Sequence, residues 1–332
     1  MNTPHSDNDT VRPTPSVGAV VIGRNEGDRL RVCLESVVPF IAAAVYVDSG
    51  STDGSVQMAQ GLGAEVLALD MAIPFTAARA RNAGYRLLIN AHPQTRYVQF
   101  IDGDCEVVPG WLDQASRYLD AHPDCAVVCG RRRERHPEAS IYNQMCDLEW
   151  DTPIGDALSC GGDALMRVDA LVQVNGYRDQ LIAGEEPELC VRLRRKGWRI
   201  HRLDIEMTRH DAAITRWGQW WRRTVRAGHA FAEGAWLHGA SPERHWVRET
   251  TRTVLWGLLL PIAIAGLVVG VDPRAAALAL LYPLQWARLA FRTRSPALAF
   301  FSVAGKFAEA QGVLKFGLTK LLGRSGRLIE YK

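Results

Sequence analysis

Residues 97–104 read Tyr-Val-Gln-Phe-Ile-Asp-Gly-Asp, an apolar run of strand length that ends on two carboxylates separated by one glycine. An apolar run that leads directly into polar residues also occurs twice earlier in the chain. The apolar run Val17–Ile22 leads into Gly-Arg-Asn-Glu at 23–26, and Ala44–Val47 leads into Asp48 and a turn rich in Gly and Ser. Polar loops that directly follow buried strands are typical of α/β proteins, in which ligands bind beyond the carboxyl ends of the strands.

Apolar runs alternate with segments of helical period throughout residues 17–132. The other predicted strands are Ala64–Leu67 and Ala126–Cys129, and the predicted helices are Asp28–Val38, Ala77–Ile89 and Trp111–Leu119. This alternation predicts an α/β, Rossmann-like fold with a mostly parallel sheet and helices on both faces. Residues 133–240 are more mixed and contain one clear helical pattern, at about 185–196.

Composition excludes some functions. The chain has 332 residues, of which 47% are hydrophobic, so a large core can form. The net charge of +3 is too small to indicate a nucleic-acid partner. The seven cysteines show no metal-binding spacing, which favours a reducing compartment without structural disulfides. We find no N-terminal signal peptide, and the polar residues 1–15 are predicted to be a disordered tail.

Residues 241–332 differ in composition from the rest. The segment 253–271 contains no charge and is long enough to span a bilayer, and 275–291 is a second, weaker apolar run. A helical hairpin with both ends cytoplasmic would follow the positive-inside rule. The flanking arginines are Arg244, Arg248, Arg252, Arg292 and Arg294. The alternative is a buried hairpin of a soluble protein. Residues 296–323 suit an amphipathic helix in the membrane interface.

The triplet Asp102-Gly103-Asp104 is the strongest candidate for chemistry. Two carboxylates held at a strand end offer the oxygen ligands that Mg²⁺ or Mn²⁺ prefers, although Asp and Gly also simply make turns. Asp48 ends a neighbouring run and could accept hydrogen bonds from a base or a ribose. We interpret Asp53 in the same loop as structural, because such residues commonly cap helices.

Two groups of charged residues occur at predicted helix starts. Arg79 and Arg81 begin the helix after the third strand, where guanidinium groups suit a diphosphate, and a solvated helix face is the alternative. The acidic cluster Glu185, Glu186 and Glu188 could be explained by helix capping alone. One of these carboxylates could instead act as a general base for an acceptor hydroxyl.

The remaining candidate functional residues are His210 and a tryptophan-rich stretch. A lone histidine is commonly structural, but His210 could also complete a metal shell or contact phosphates. Trp217, Trp220 and Trp221 could form a platform for a sugar or a lipid. Aromatic residues near a membrane segment are also expected as interfacial anchors, and this second interpretation ranks first.

Five strings, taken in order, resemble family 2 glycosyltransferases of the GT-A fold. They are Val20-Val-Ile-Gly-Arg-Asn-Glu26, Val47-Asp-Ser-Gly-Ser-Thr-Asp-Gly54, Ala80-Arg-Asn-Ala-Gly84, Phe100-Ile-Asp-Gly-Asp104 and Gly184-Glu-Glu-Pro-Glu-Leu-Cys-Val-Arg-Leu-Arg-Arg-Lys-Gly-Trp198. The resemblance covers about 17–235. The C-terminal region is similar to that of bacterial members tethered to the inner membrane, which build surface polysaccharides or glycolipids.

The resemblance implies an inverting transfer from a nucleotide-diphosphate sugar, with a UDP-sugar favoured, to a glycan or lipid-linked acceptor. The implied metal ligands are Asp102, Asp104 and His210, binding Mg²⁺ or Mn²⁺. The implied donor-binding residues are Ile22, Arg24, Glu26, Asp48, Arg81, Asp102 and Gly103. On the acceptor side stand Gly162 and Asp163, with Trp220 as a further candidate. The family's Glu-Asp pair carries the base on its second residue, which is Glu186 here, and Glu185 is the alternative.

The implied organisation is a GT-A catalytic domain at 16–240, with a nucleotide-binding half at 16–132 and an acceptor half at 133–240. Residues 241–332 would bind membrane lipid and hold the catalytic domain on the cytoplasmic face of the inner membrane. Two other functions stay open at this point. One is a metal-dependent nucleotidyltransferase, and the other is a non-catalytic, membrane-tethered binding protein of the same fold.

Overall fold

The computed structural model describes residues 14–323 and contains one nine-stranded sheet. The strands are β1 Thr14–Gly23, β2 Ile41–Asp48, β3 Glu65–Ala68, β4 Tyr97–Asp102, β5 Cys105–Val107, β6 Cys125–Glu134, β7 Gly155–Asp156, β8 Ala164–Arg167 and β9 Arg199–His210. Their order is β3-β2-β1-β4-β8-β6-β9-β5, and β7 pairs with β9.

The half of the sheet formed by β3, β2, β1 and β4 is parallel. Its central strands are buried on both faces, which explains their nearly continuous apolar sequence. In the other half, β8 enters antiparallel between β4 and β6, while β6 and β9 are parallel. The predicted α/β fold is confirmed, and the antiparallel strands make the sheet mixed.

Helices of the globular part follow the predicted pattern closely. They are α1 Asp28–Val37, α2 Ser55–Gly61, α3 Ala77–Ala91, α4 Trp111–Ala121, α5 Ile141–Glu149, α6 Val168–Gln173, α7 Glu185–Arg195 and α8 Trp217–His238. Short 3₁₀ turns lie at Val38–Phe40 and Pro137–Ala139. The four helices that the sequence predicts, at 28–38, 77–89, 111–119 and 185–196, are present to within two residues at either end.

The C-terminal region is helical. It contains α9 Val247–Val254, a π-helical turn Leu255–Leu259, α10 Leu260–Gly270, a 3₁₀ segment Pro273–Leu280, α11 Leu281–Thr293 and α12 Pro296–Leu321. Helix α12 packs along α8 with almost no gap between the backbones. A Cβ atom on Gly228 would lie 2.0 Å from the carbonyl oxygen of Glu309, so only glycine permits this approach. The C-terminal helices are therefore packed directly on the globular part.

One helix among residues 14–323, Val247–Gly270, is long and apolar enough to cross a membrane. It contains residues 253–270 of the first predicted span, and few of its side chains are buried, as Ile262 at 60% exposure and Val269 at 89% illustrate. The second predicted span, 275–291, is not a single helix here. The chain instead changes from a 3₁₀ segment to α11 at Leu281, close to Pro283, whose missing N–H places it in the first turn of a new helix.

The predicted tail 1–15 falls mostly outside the described residues. Residues 1–13 lie outside them, and β1 already begins at Thr14. The predicted helix 296–323 is present as α12, Pro296–Leu321. Its position in a membrane interface stays a prediction, as do the domain boundaries.

Candidate active site

Three loops meet at one edge of the sheet because their strands end side by side. Gly23 at the end of β1 is in register with Asp48 at the end of β2. On the other side of β1, Ile22 is in register with Asp102 at the end of β4. The loops that begin at 23, 48 and 102 therefore form one continuous rim, as expected at the carboxyl edge of a parallel sheet.

The first two loops are held together by direct hydrogen bonds. The amide of Thr52 donates to Asn25 Oδ1 at 2.7 Å, and the amide of Gly27 donates to Asp53 Oδ2 at 3.0 Å. Hydrogen bonds from Ser55 lower the pKa of Asp53. These contacts give Asp53 a role in holding the loops, in line with the interpretation of this residue as structural.

Asp48 is buried, and its carboxylate shapes the turn that follows. Its Oδ2 atom accepts hydrogen bonds from the amides of Gly50 and Ser51, each at 3.0 Å. The Tyr46 hydroxyl donates to Oδ1 at 3.1 Å. A carboxylate oxygen can accept about two hydrogen bonds, so Oδ1 retains one acceptor position for another donor.

A buried guanidinium group connects the third loop with the start of α7. The Arg81 side chain is only 3% exposed, and its Nη2 atom donates to Asp102 Oδ1 at 2.7 Å. Its Nη1 atom lies 3.0 Å from Glu185 Oε1 and 2.9 Å from Glu186 Oε1. Burial alone would lower the pKa of Arg81, but these three carboxyl groups raise it well above its ordinary value. Arg81 is therefore a permanent cation at the centre of the site.

The carboxyl group of Glu186 has a raised pKa. Burial, together with the charge of Glu185, raises the pKa of Glu186 to about 7, against the opposing effect of Arg81. A carboxyl group with a pKa near neutrality exchanges a proton easily at physiological pH. Glu186 is thus the carboxyl of this helix that is best suited to act as a base.

The third acidic residue of the cluster, Glu188, is fully paired. It accepts hydrogen bonds from Arg178 at 2.5 Å, from Arg192 and from His238. Burial raises the pKa of Glu188, but hydrogen bonds from Arg192 and His238 outweigh that effect and lower it. Because His238 is the last residue of α8, this contact fastens α7 to α8 and gives Glu188 a structural role.

The turn at 161–163 packs against the same site. A Cβ atom on Gly162 would lie 2.7 Å from Arg81 Nη2 and 2.9 Å from Asp102 Oδ2. Asp163 lies beneath the turn, fully buried, and accepts a hydrogen bond from the Thr208 hydroxyl at 2.7 Å. Asp163 therefore supports the floor of the site, and Gly162 forms its surface.

Arg132 is a site residue that the sequence analysis missed. It belongs to an arginine run at 131–133, which reads as a solvated cluster. In the structure its Nη2 atom lies 2.8 Å from Asp163 and 3.5 Å from Asp102, and its guanidinium stacks 5.4 Å above the ring of Trp150. The available signal was the alternation of side chains along β6, which directs the middle arginine away from its neighbours.

The residues that could hold a metal lie beside this network. His210 Nε2 is 3.2 Å from Asp104 Oδ1, and both residues are buried. His210 Nδ1 has no hydrogen-bond partner within residues 14–323. Cys105 is close to both aspartates of the triplet, but burial and the charge of Asp163 raise the pKa of its thiol, so it is protonated. Asp104 and His210 form one group with Cys105, and Asp102 and Asp163 form an adjacent group with the same cysteine. A carboxylate with an imidazole suits Mg²⁺ or Mn²⁺, so the pair of Asp104 and His210 fits such an ion.

The other predicted donor residues line the first loop. The carbonyl of Ile22 accepts a hydrogen bond from the amide of Gly103 at 2.8 Å, which connects the first and third loops. Glu26 forms an ion pair with Arg29 at 2.7 Å, and Arg24 is exposed. All of these residues lie on the rim described above.

Trp220 packs against the C-terminal helix α12. It is buried, and its ring centroid is 5.0 Å from that of Phe301 on α12, in a cluster with Ala212 and Ile214. The structure thus places Trp220 in the contact between α8 and α12. Trp217 of the same stretch is 42% exposed.

Part of this chain is similar to a known protein family. Residues 19–163 match the family model described as Glycosyl transferase family 2. This segment belongs to that family. The match begins within β1 and includes β2 to β7, the triplet 102–104 and the turn at 161–163.

Two solved structures share the fold over nearly the whole chain. One is the mannosyltransferase PcManGT from Pyrobaculum calidifontis in complex with GDP-Man and Mn²⁺, with a TM-score of 0.63, 20% identity, and 92% of this chain and 88% of that chain covered. The other is S. aureus TarS 1-349, with a TM-score of 0.51, 14% identity, and 94% and 93% covered. These likenesses show that the chain has the GT-A fold, and the family match over residues 19–163 supports a glycosyltransferase.

The close packing at Gly162 leads to a specific expectation. Replacing Gly162 with alanine should lower kcat/KM by roughly tenfold or more, because the new methyl group must displace Arg81 or Asp102 and a small shift of reacting groups is costly. Steady-state kinetics would measure the loss.

The adjacent residue provides a matched control. A Cβ atom on Gly161 would meet nothing within 4 Å, so Gly161→Ala should leave kcat/KM within about twofold. Equal losses in the two variants would show that the packing against Arg81 is unimportant.

Proposed function

We propose that this glycosyltransferase moves a single sugar from a nucleoside diphosphate donor, with a UDP-sugar favoured, to a hydroxyl of a glycan or lipid-linked acceptor, with inversion. The observation that carries the proposal is the bridge made by Arg81. This one buried side chain contacts Asp102 in the donor loop and both glutamates at the start of α7. One guanidinium group therefore contacts both the residue assigned to the donor and the residues assigned to the acceptor.

The charge of the site supports a metal-assisted reaction. Five carboxyl groups surround two guanidinium groups, so negative charge is in excess even when one carboxyl is protonated. The carboxyl groups belong to Asp102, Asp104, Asp163, Glu185 and Glu186, and the guanidinium groups to Arg81 and Arg132. Such a site repels a bare diphosphate and attracts a divalent cation.

We assign Asp102, Asp104 and His210 as the residues that would hold Mg²⁺ or Mn²⁺. When bound, the ion supplies Lewis-acid stabilisation of the negative charge on the departing nucleotide. The Asp102 carboxylate is held at the strand end by Arg81, which donates to Oδ1, and by Arg132, which lies 3.5 Å from Oδ2. A site held in this way needs little rearrangement during the reaction.

We assign the base to Glu186. Its carboxylate would take the proton of the acceptor hydroxyl as the acceptor oxygen bonds to the anomeric carbon and the bond to the diphosphate breaks. Glu185 accepts a hydrogen bond from Arg81 at 3.0 Å and is the alternative base. Attack from the side opposite to the leaving group gives the inverted anomer.

We assign the nucleotide to the rim formed by residues 22–26 and 48–54. Asp48 would accept a hydrogen bond from the base through the acceptor position that Oδ1 retains. The hydrogen bonds between the two loops hold this pocket in shape before the donor arrives. We also propose a location at the cytoplasmic face of the inner membrane, and the apolar helix Val247–Gly270 supports the membrane association.

A panel of nucleotide sugars tests the proposal. The full chain, purified in detergent, should be stabilised against thermal unfolding by one class of nucleotide sugar, and Mn²⁺ should increase the effect. The variant Asp48→Asn should lose most of the stabilisation by the nucleotide but keep that by the metal. If no nucleotide sugar stabilises the protein with or without Mn²⁺, the proposed donor site is wrong.

The raised pKa of Glu186 predicts the pH dependence. The base must be ionised to accept a proton, so kcat should fall about tenfold per pH unit below a midpoint near pH 7. Above that pH the rate should level off. Initial rates at saturating substrates between pH 5 and 9 provide the measurement, and a midpoint near 4.5 would contradict the assignment.

A further inference from the structure

Three helices of the C-terminal region enclose a cavity of about 440 Å³. Its walls come from the start of the helix Val247–Gly270, the end of α11 and the first half of α12. The cavity is separate from the site at Asp102 and Arg81, and none of its lining residues takes part in the proposed sugar transfer.

The cavity is strongly cationic. Arg252, Arg288 and Arg292 line it, and none of them has a carboxylate partner within the described part of the chain, 14–323. The other two charged residues, Lys306 and Glu309, neutralise each other through an ion pair at 2.5 Å. Three guanidinium groups are thus left to balance an anion, and guanidinium groups bind phosphate oxygens with paired hydrogen bonds.

An apolar groove adjoins this cavity. The two share Tyr282 and Val303, so a ligand can extend from one into the other. The groove has a volume of about 480 Å³ and is lined by large apolar side chains, of which Trp286, Phe300 and Phe307 are 39%, 49% and 37% exposed. A cationic cavity beside an open aromatic groove matches a molecule with a charged head and a hydrocarbon tail.

The position along the helices agrees with a lipid headgroup. Arg252 lies near the start of the candidate span, and Arg288 and Arg292 lie near the end of α11. Beyond Arg252 the helix exposes Leu255 and Leu259 at 50% and 53%. If this helix crosses the bilayer, the three arginines lie at the level of the headgroups on the cytoplasmic side, where positive residues accumulate.

We propose that this cavity and groove form a binding site for one anionic phospholipid of the bilayer. The phosphate lies against Arg252, Arg288 and Arg292, and an acyl chain lies along the groove beside Trp286 and Phe307. Charge complementarity selects the ligand, because the cationic headgroup of a zwitterionic lipid is repelled by the three arginines and a free phosphate makes no use of the groove. The lipid thereby fixes the orientation of the C-terminal helices, and through α12 and α8 that of the catalytic domain.

Lipid titration of the full chain in a non-ionic detergent tests this proposal. Tryptophan fluorescence reports binding, since Trp256 and Trp286 line the cavity and the groove. Dioctanoyl phosphatidylglycerol should bind at least about tenfold more tightly than dioctanoyl phosphatidylcholine. The double variant Arg288→Gln/Arg292→Gln should lose this preference, with a weakening of about tenfold or more. Donor hydrolysis by the same sample should stay unchanged, which separates this site from the proposed sugar transfer.

A matched control has the same change of charge in the same region. Arg274→Gln/Arg294→Gln removes two cations that do not line the cavity, and it should bind phosphatidylglycerol like the unmodified chain. Equal weakening in both double variants would overturn the proposal, because it would show attraction to net charge alone. Equal affinity for the two lipids, or equally tight binding of inorganic phosphate, would overturn it as well.

Discussion

Replacing Asp104 with asparagine is expected to lower kcat for sugar transfer by about 10²–10³-fold and to leave the fold intact. The Asp104 carboxylate lies 3.2 Å from His210 Nε2, in the loop that follows the buried strand β4. The amide keeps the shape of the side chain but is a poor ligand for a divalent cation. Transfer rates measured over a range of Mn²⁺ concentrations should show both the loss and a weaker metal dependence.

The control for this variant is Asp113→Asn. Asp113 is a half-exposed aspartate on α4 that pairs with Arg117, so its replacement changes the net charge equally without touching the site. It should retain the full rate. Undiminished turnover in Asp104→Asn would exclude the proposed metal role, and circular dichroism would show whether either variant is misfolded.

Glu186→Gln is expected to lower kcat by about 10³-fold while the affinity for the donor stays within about twofold. Glutamine cannot accept the proton of the acceptor, but it preserves the volume of the side chain. Arg81 keeps its contacts with Asp102 and Glu185, so the donor side of the site is maintained. Transfer kinetics and calorimetric titration with the donor would separate the two effects.

Glu185→Gln distinguishes the two neighbouring glutamates. It removes a hydrogen-bond partner of Arg81, so we expect a moderate loss of rate. The acid limb of the pH profile should be retained but shifted to lower pH, because the charge of Glu185 raises the pKa of Glu186. If Glu185→Gln instead abolishes transfer and Glu186→Gln retains it, the base is Glu185. Glu188→Gln should mainly lower stability, because it leaves Arg178 and Arg192 without their buried partner.

The parallel part of the fold could be predicted because its strands carry a strong local signal. Strands such as β4 are buried on both faces, so the sequence is apolar without interruption and then changes abruptly to polar loop residues. The clustering of Asp48 and Asp102 at one edge follows from this, since parallel strands in register must end together. These predictions needed no knowledge of contacts between distant segments.

The features that could not be predicted from the sequence depend on contacts between distant segments. Arg132 cannot be told from Arg131 and Arg133 in sequence, and only the pairing of β6 with β8 and β9 directs it towards Asp163. Trp220 has the composition of a sugar platform, but the docking of α12 covers it. The choice between Glu185 and Glu186 depends on burial and on mutual charge, which spacing along a helix does not reveal.

The products of the reaction test the central claim most directly. The full chain should be incubated with its nucleotide sugar, an acceptor and Mn²⁺, and the released nucleotide and phosphate species should be separated and quantified. Our account predicts one nucleoside diphosphate for each sugar transferred, and no release by Asp104→Asn. Release of pyrophosphate would instead show a nucleotidyltransferase and would contradict the account.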